Sequence, residues 1–411
     1  MENKTFNELV QDPFILKSLL EYGFEAPTQI QRQAIPLIKG GNDVVGQSST
    51  GSGKTIAFTL PILENVNTAD GSIQALVITP TRELCLQITK EFERLAKYKA
   101  IKITKVYGGV GIEPQIQKLK TANIVIGTPG RILDLINRRE MNLNNIKFLV
   151  LDEADKMFDM GFIIDIREII NSVAKKRQTL MFSATFSVEV MEIAKEYMDN
   201  PVTIKAKQYV EKDLLKQYYY ITGVNERFSL LVHLLKNETV TLAVVFCNTK
   251  RMVDMVAFNL KKHSFDARAI HGGLTQNQRT KVIEEFHSNK IHILVASDLA
   301  ARGLDLKNLT HVYNYDVPKT SKEYIHRIGR TARAGKSGKA ISLLSEKDYD
   351  NFRRIQEDRS IKIERLETPP FARANFQPFV PREHHSGFAS SRRFQSTRRF
   401  SRGRNFSRRR F

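Results

Sequence analysis

The 411-residue chain contains only two cysteines, Cys85 and Cys247, about 160 positions apart with no Cys-x-x-Cys spacing. That scarcity excludes a disulfide framework and argues against a zinc site, and both thiols read as core residues. No run of about 18 apolar residues occurs, and the opening stretch "MENKTFNELVQDPF" has no apolar signal region. A soluble cytoplasmic protein with no membrane association is therefore expected. What the chain has in excess is positive charge: 64 Lys and Arg against 44 Asp and Glu give a formal net charge of +20. Such an excess implies an anionic partner, most often nucleic acid or a membrane surface. With 41% hydrophobic residues over 411 positions, the chain fills more than one ordinary core.

Short β-branched runs recur at Ala75 to Thr79, Asn123 to Gly127, Phe148 to Leu151 and Thr179 to Phe182, separated by helical patterns such as Arg82 to Lys97. The theme returns at Leu242 to Phe246, Ile291 to Ala296, His311 to Tyr315 and Ala340 to Leu344, with helices near Lys250 to His263 and Asn277 to Ser288. Alternating β and α elements predict an α/β fold of two lobes, each with a mostly parallel sheet that binds ligands at the carboxyl ends of its strands. The polar stretch "IKAKQYVEKDLLKQYYYI" places the linker at 206–214, between lobes at 1–205 and 215–366.

Two constellations carry chemistry. "GQSSTGSGKTIAF" (Gly46 to Phe58) departs from G-x-x-x-x-G-K-[ST] only in having Ser48 at its start. A loop at a helix N-terminus can surround phosphates with backbone N–H groups from Ser49, Thr50, Gly51, Ser52 and Gly53; Lys54 can reach the β/γ oxygens, and Thr55 can hold Mg²⁺. A flexible Gly/Ser turn is the plainer alternative for that stretch alone. "FLVLDEADKMF" delivers Asp152 and Glu153 at the end of a buried-strand pattern, one carboxylate suited to Mg²⁺ and the other to positioning or deprotonating the attacking water. Acidic residues at a helix start would alone satisfy the dipole. The two motifs together favour catalysis.

"DEAD" (152–155), with "PTREL" (80–84), "TPGR" (128–131), "SAT" (183–185), "SDLAARGLD" (297–305) and "HRIGRTARAG" (326–335), resembles the DEAD-box ATP-dependent RNA helicases in order and spacing over about residues 6 to 345. The resemblance implies two tandem RecA-like lobes, with ATP in the cleft between them and RNA lying across both. "GFEAPTQIQ" resembles the family's Q motif, so Gln31 is expected to read adenine, with Phe24 packed nearby and Phe6 in support; ordinary core packing is the alternative for both rings. Asp305 is expected at the ribose, and Asp155, Ser183, Thr185 and His326 in coupling between the lobes. Arg330 and Arg333 are expected as arginine fingers at the γ-phosphate. For RNA the resemblance points to Arg82, Gly109, Thr128 and Arg131 in lobe one and to Thr249, Gln276, Arg279 and Ser297 in lobe two. Residues of these types suit phosphate and 2′-OH contacts largely independent of sequence. The departures are Ser48 and Ser49 in the loop, Ser297, and Ala332, which stands where the family usually has glycine and so needs a backbone open to other residues.

An RNA-dependent ATPase that opens short duplexes or remodels ribonucleoprotein is the activity implied, with an ATP-gated RNA clamp as the alternative. ATP and Mg²⁺ are the expected cofactors, RNA the partner, with ribonucleoprotein partners also open and a monomer expected. The segment 367–411 is expected to be a disordered basic tail. From Leu366 onward eleven Arg and eight Phe stand against two Glu, and interleaved arginines and rings suit phosphates and unpaired bases.

Overall fold

A computed structural model of the chain describes residues 4–47, 52–205, 214–301, 304, 306, 309–332 and 337–378. Ser49, Thr50, Gly51, Asp305, Arg333, nearly all of the expected linker and the tail after residue 378 lie outside the described residues.

Lobe one is built on β1 (Val44–Gln47), β2 (Ala75–Ile78), β3 (Ile103–Val106), β4 (Ile124–Gly127), β5 (Phe148–Asp152), β6 (Gln178–Ser183) and β7 (Val202–Lys205). The strands lie side by side in the order β3-β4-β2-β5-β6-β1-β7, and every pairing is parallel. Lobe two uses β8 (Leu215–Ile221), β9 (Ala243–Phe246), β10 (Ala267–Ile270), β11 (Ile293–Ala296), β12 (His311–Asn314), β13 (Gly338–Leu344) and β14 (Glu364–Arg365), in the order β10-β11-β9-β12-β13-β8-β14. This is the order of lobe one with each strand advanced by seven, so one architecture is used twice. The central strands β2, β4, β5, β9, β11 and β12 are buried throughout, as parallel strands covered on both faces by helices must be.

Helix starts sit at the carboxyl ends of strands, where capping hydroxyls fix them. Thr81 accepts from Leu84 N (3.3 Å) at the start of helix Arg82–Leu95, and Thr249 accepts from Met252 N (3.1 Å) at the start of helix Lys250–Lys262. Both helices then bury one apolar face, Cys85, Ile88 and Phe92 in the first and Val253, Val256 and Leu260 in the second.

Three features differ from the sequence reading. The outer strands β3, β7 and β10 mix polar with apolar residues, because a strand at or near a sheet edge is only partly covered. The polar stretch used to place the linker contains β8 itself: "LKQYYYI" is flanked only by the short β14 on its outer side and tolerates exposed positions. The segment expected as tail from residue 367 begins instead as part of lobe two. Leu366, Phe371, Ala374 and Phe376 pack against its core, the Phe376 ring lies 4.8 Å from Phe228, and Ala374 N donates to Ser229 Oγ (2.9 Å). Asn259, fully buried, pairs its side-chain amide with both backbone groups of Gln377 at 2.8 Å. The compact unit runs to Gln377. Arginine content argued for a tail throughout, but the two phenylalanines and Leu366 supply enough apolar surface to seat this stretch.

Candidate active site

The phosphate-loop candidate joins β1 to helix Lys54–Asn65. Gly53, just before the helix, is left-handed (φ 93°), and a Cβ there would fall 2.4 Å from Gln31 Nε2 and 2.9 Å from Thr28 Oγ1, so only glycine fits. Gln31 is committed at both ends of its amide: Oε1 accepts from Thr28 N (2.8 Å) and Nε2 donates to Gly53 O (3.0 Å). It thus ties the expected adenine-reading segment to the loop. Phe24 lies half-buried against the lobe-one core, and Phe6 is buried within it, as core packing alone would place it. Lys54 is buried with its Nζ 3.7 Å from Asp152 Oδ1, and Thr55 follows it in the first helical turn.

Asp152 ends β5, and Glu153 turns the chain into helix Ala154–Asp159 through a left-handed conformation (φ 53°, ψ 48°) that is costly for a residue with a side chain. Both carboxylates are buried. Burial raises the Asp152 carboxyl above its usual range, the Lys54 charge opposes this, and the neighbouring Glu153 adds to it. Burial also penalises Glu153, but Lys156, with help from Lys54 and Arg330, overrides it and holds that carboxyl down at about 2. Lys156 Nζ lies 2.7 Å from Glu153 Oε1, and both side chains are only 3% exposed. Its own ammonium is pushed down to about 8 by burial, against the pull of Glu153. Nothing in the sequence reading singled out Lys156. The signal available was a lysine three residues after a catalytic carboxylate, one helical turn away and on the same face.

The coupling candidates join in two steps. Asp155 Oδ2 accepts from Thr185 N (3.1 Å) and Thr185 Oγ1 (3.0 Å), while Ser183 Oγ donates to Thr185 O (2.7 Å), tying the end of β5 to the end of β6. From lobe two, Arg330 is buried with Nη1 donating to Leu304 O (3.0 Å), and its charge acts on both Glu153 and Lys156. His326 is pushed down to about 4 by burial and by the Lys156 charge, with Asp155 opposing. The acids of lobe one and the His and Arg of lobe two therefore share one enclosed cluster. An exposed pair, Lys322 Nζ to Asp159 Oδ1 at 2.9 Å, joins the lobes at its rim.

The RNA candidates divide into those that meet one another and those that do not. Gly109 is left-handed (φ 79°), and a Cβ there would lie 2.1 Å from Arg82 Nη1, so the glycine makes room for the guanidinium. Arg82 Nη1 donates to Gln276 Oε1 (3.4 Å), Gln276 Nε2 to Glu83 Oε1 (3.4 Å), and Arg279 Nε to the same carboxylate oxygen (2.8 Å). Three expected RNA residues thus form a bridge between the lobes, centred on Glu83, which the sequence reading passed over although it stands inside "PTREL" between Arg82 and an apolar stretch. Arg131 Nη2 donates to Val110 O (3.1 Å), next to the Gly109 turn. Thr128 precedes helix Pro129–Asn137, Thr249 is the exposed cap described above, and Ser297 precedes helix Asp298–Ala301. These four are not joined to the Glu83 bridge.

Comparison with known proteins shows the family. The DEAD/DEAH box helicase model matches residues 28–193, and the helicase conserved C-terminal domain matches residues 226–335. An ATP-dependent RNA helicase CshA of Limosilactobacillus reuteri is 44% identical over 374 residues, covering 90% of this chain and 75% of its own length. A probable ATP-dependent RNA helicase of Methanocaldococcus jannaschii is 47% identical, covering 89% of this chain and 99% of its own length.

The chain belongs to the DEAD-box RNA helicases.

As a DEAD-box RNA helicase it is an ATP-hydrolysing enzyme of two RecA-like lobes. Its structure resembles that of S. cerevisiae Dbp5 bound to RNA and ADP BeF3 with a TM-score of 0.80 at 32% identity, over 89% of this chain and 96% of that one. The crystal structure of a DEAD box protein from Methanococcus jannaschii, 46% identical over 89% of this chain and 100% of that one, scores only 0.55. Among its described residues no helix is long and apolar enough to cross a membrane.

Proposed function

We propose that the protein hydrolyses ATP in an RNA-dependent way and uses lobe closure to open short RNA duplexes locally or to remodel ribonucleoprotein. The observation carrying this reading is the enclosed cluster in which Lys54, Asp152 and Glu153 of lobe one stand with His326 and Arg330 of lobe two. A site completed by both lobes can turn over only when they close, and RNA spanning both lobes favours closure. RNA is the partner in the Dbp5 relative.

Lys54, aimed from the loop, holds the β/γ-phosphates; Gln31 ties the adenine side of the site to that loop through Gly53 O. The donor set suits a divalent cation, since Asp152 is a buried carboxylate penalised by burial and by Glu153, and Thr55 follows Lys54 in the first helical turn. Asp152 and Thr55 would hold Mg²⁺, which would supply charge neutralisation to the phosphates. Glu153, anionic at neutral pH, orients the attacking water and takes its proton. Arg330, joined by Arg333, stabilises charge on the γ-phosphate from lobe two, a contribution worth about 10³ to 10⁵ in rate where it has been isolated. Asp305 serves the ribose, and Ser49, Thr50, Gly51, Ser52 and Gly53 the phosphates. Asp155, Ser183 and Thr185 transmit closure from β5 to β6 through the Asp155–Thr185 bonds. Arg82, Gly109, Thr128, Arg131, Thr249, Gln276, Arg279 and Ser297 form the RNA track, which reads backbone rather than base edges. The Arg/Phe-rich segment after residue 378 adds sequence-tolerant RNA affinity.

Steady-state ATP hydrolysis without nucleic acid, with single-stranded RNA, with duplex RNA and with matching DNA tests the proposal, using Glu153→Gln as the blank. Stimulation by RNA, followed by strand separation of a short duplex, is expected. Full turnover in Glu153→Gln would refute the assigned base, and equal stimulation by DNA would refute the RNA requirement.

A further inference from the structure

Lys156 is a buried cation to which neither the motifs nor the proposed mechanism assigns a task. Its Nζ lies 2.7 Å from Glu153 Oε1, and the two side chains are each 3% exposed. Burying a lysine is costly unless its charge is matched, so this position is tied to the carboxylate it faces. The two lysines divide the two acids: Lys54 stands 3.7 Å from Asp152, while Lys156 holds Glu153 from the helix that Glu153 itself starts. Because Glu153 enters that helix through a left-handed backbone, the direction of its side chain is set at one end by an uncommon turn and at the other by the ammonium. From lobe two, the charge of Arg330 reaches Lys156, and that of Lys156 reaches His326, so it lies where lobe closure would be felt.

We propose that Lys156 is a positioning residue for hydrolysis: its ammonium holds Glu153 by Oε1 in the orientation from which Oε2 takes the proton of the attacking water. The proposal rests on Glu153 being the base. It makes Lys156 act only through Glu153, with no contact to ATP, and this separates it from Lys54.

The test compares Lys156→Met, Lys156→Arg, Glu153→Gln and the double variant Glu153→Gln/Lys156→Met. RNA-stimulated kcat and KM for ATP are measured alongside the equilibrium affinity for a fluorescent ADP. A carboxylate released from its orientation loses about 10²-fold in rate. Lys156→Met should therefore lower kcat by about 10²-fold while KM and ADP affinity stay within about threefold, and Lys156→Arg should recover most of the loss. The double variant should turn over no more slowly than Glu153→Gln alone, because a residue acting through Glu153 has nothing left to position. Unchanged kcat in Lys156→Met beside an inactive Glu153→Gln would overturn the proposal while leaving the base in place. So would a further loss in the double variant, or a parallel loss of ADP affinity. Full turnover in Glu153→Gln would instead remove the reading on which it rests. Should Lys156→Met fail to fold, the double variant, which removes both charges, and Lys156→Arg still decide the matter.

Discussion

Removing the charge of Glu83 should loosen the lobes without disturbing either one. Its carboxylate receives Arg279 Nε at 2.8 Å, with side chains 9% and 12% exposed, and Gln276 Nε2 at the longer 3.4 Å. For the Arg279 pair at 2.8 Å an effective dielectric of 20 gives an attraction of about 6 kcal/mol before desolvation, whereas hydrogen bonds to charged groups contribute about 1.5 to 3 kcal/mol net. Glu83→Gln keeps the shape and an acceptor, so a loss of about 1 to 2 kcal/mol is expected, lowering the closure constant by roughly 5- to 30-fold. Energy transfer between dyes on introduced surface cysteines, one per lobe, reads closure directly. The native thiols will not compete, because Cys85 and Cys247 are buried, and burial pushes Cys85 up to about 12 and raises Cys247 as well. With saturating ATP analogue and RNA, Glu83→Gln should need more RNA to reach the closed state, and urea midpoints should hold. An unchanged closure curve would refute the reasoning. So would tighter RNA binding in the absence of nucleotide, since Glu83 would then be competing with phosphate for Arg279 rather than closing the lobes.

The remaining predictions concern single positions. Ala332 is left-handed (φ 54°), a conformation that costs an L-residue about 1 to 2 kcal/mol; Ala332→Gly should raise lobe-two stability by about 0.5 to 1 kcal/mol in urea unfolding, and a destabilised variant would contradict the strain. Gly109→Ala should expel the Arg82 guanidinium and weaken RNA binding with ATP affinity unchanged, measured by fluorescence anisotropy; intact RNA affinity would detach Arg82 from the RNA track. Burial and the Lys156 charge push His326 down to about 4 from an ordinary 6.5, so the open or unfolded state binds more protons between those values; closure should weaken as pH falls through that window, a dependence His326→Gln should reduce. Deleting residues 379–411, after the stretch that packs on lobe two, should flatten the salt dependence of RNA binding and leave basal ATP hydrolysis intact; an unchanged salt slope would sink the RNA role of that segment.

The interior strands were legible because full burial demands uninterrupted apolar runs: "ALVI", "IVIG" and "ILVA" fix strand, parallel pairing and central place together. Edge strands were not, since "ITKV" and "ARAI" need to please only one face. The site's order was legible because its members sit at strand ends in fixed motifs. What no spacing could show is which side chains meet across the cleft. Gln276 and Arg279 lie more than 190 positions from Arg82 and Glu83, and only the fold brings them to 2.8–3.4 Å. Ala332 was expected to need a permissive backbone; the structure instead places it where glycine would be at ease.

The repeated sheet order sets corresponding places of the two lobes side by side. In lobe one the helix after β1 begins with Lys54, which faces Asp152 at the end of β5 across 3.7 Å. In lobe two the helix after β8 begins with Arg227, which faces Asp316 beyond the end of β12 at 2.8 Å. The positions correspond, but the occupancy does not. The Arg227 guanidinium, buried, also binds Tyr315 O (2.8 Å), Ser345 Oγ and Asp348. Its charge is spent on two carboxylates within the lobe, so the place where a phosphate loop would offer N–H groups and a free ammonium is already filled with a buried ion network. Among its described residues lobe two therefore shows no phosphate cradle of its own. On the proposed reading the chemistry is completed by bringing Arg330 to the phosphates held by lobe one, and closure of the lobes, rather than either lobe alone, is then the step for RNA to control.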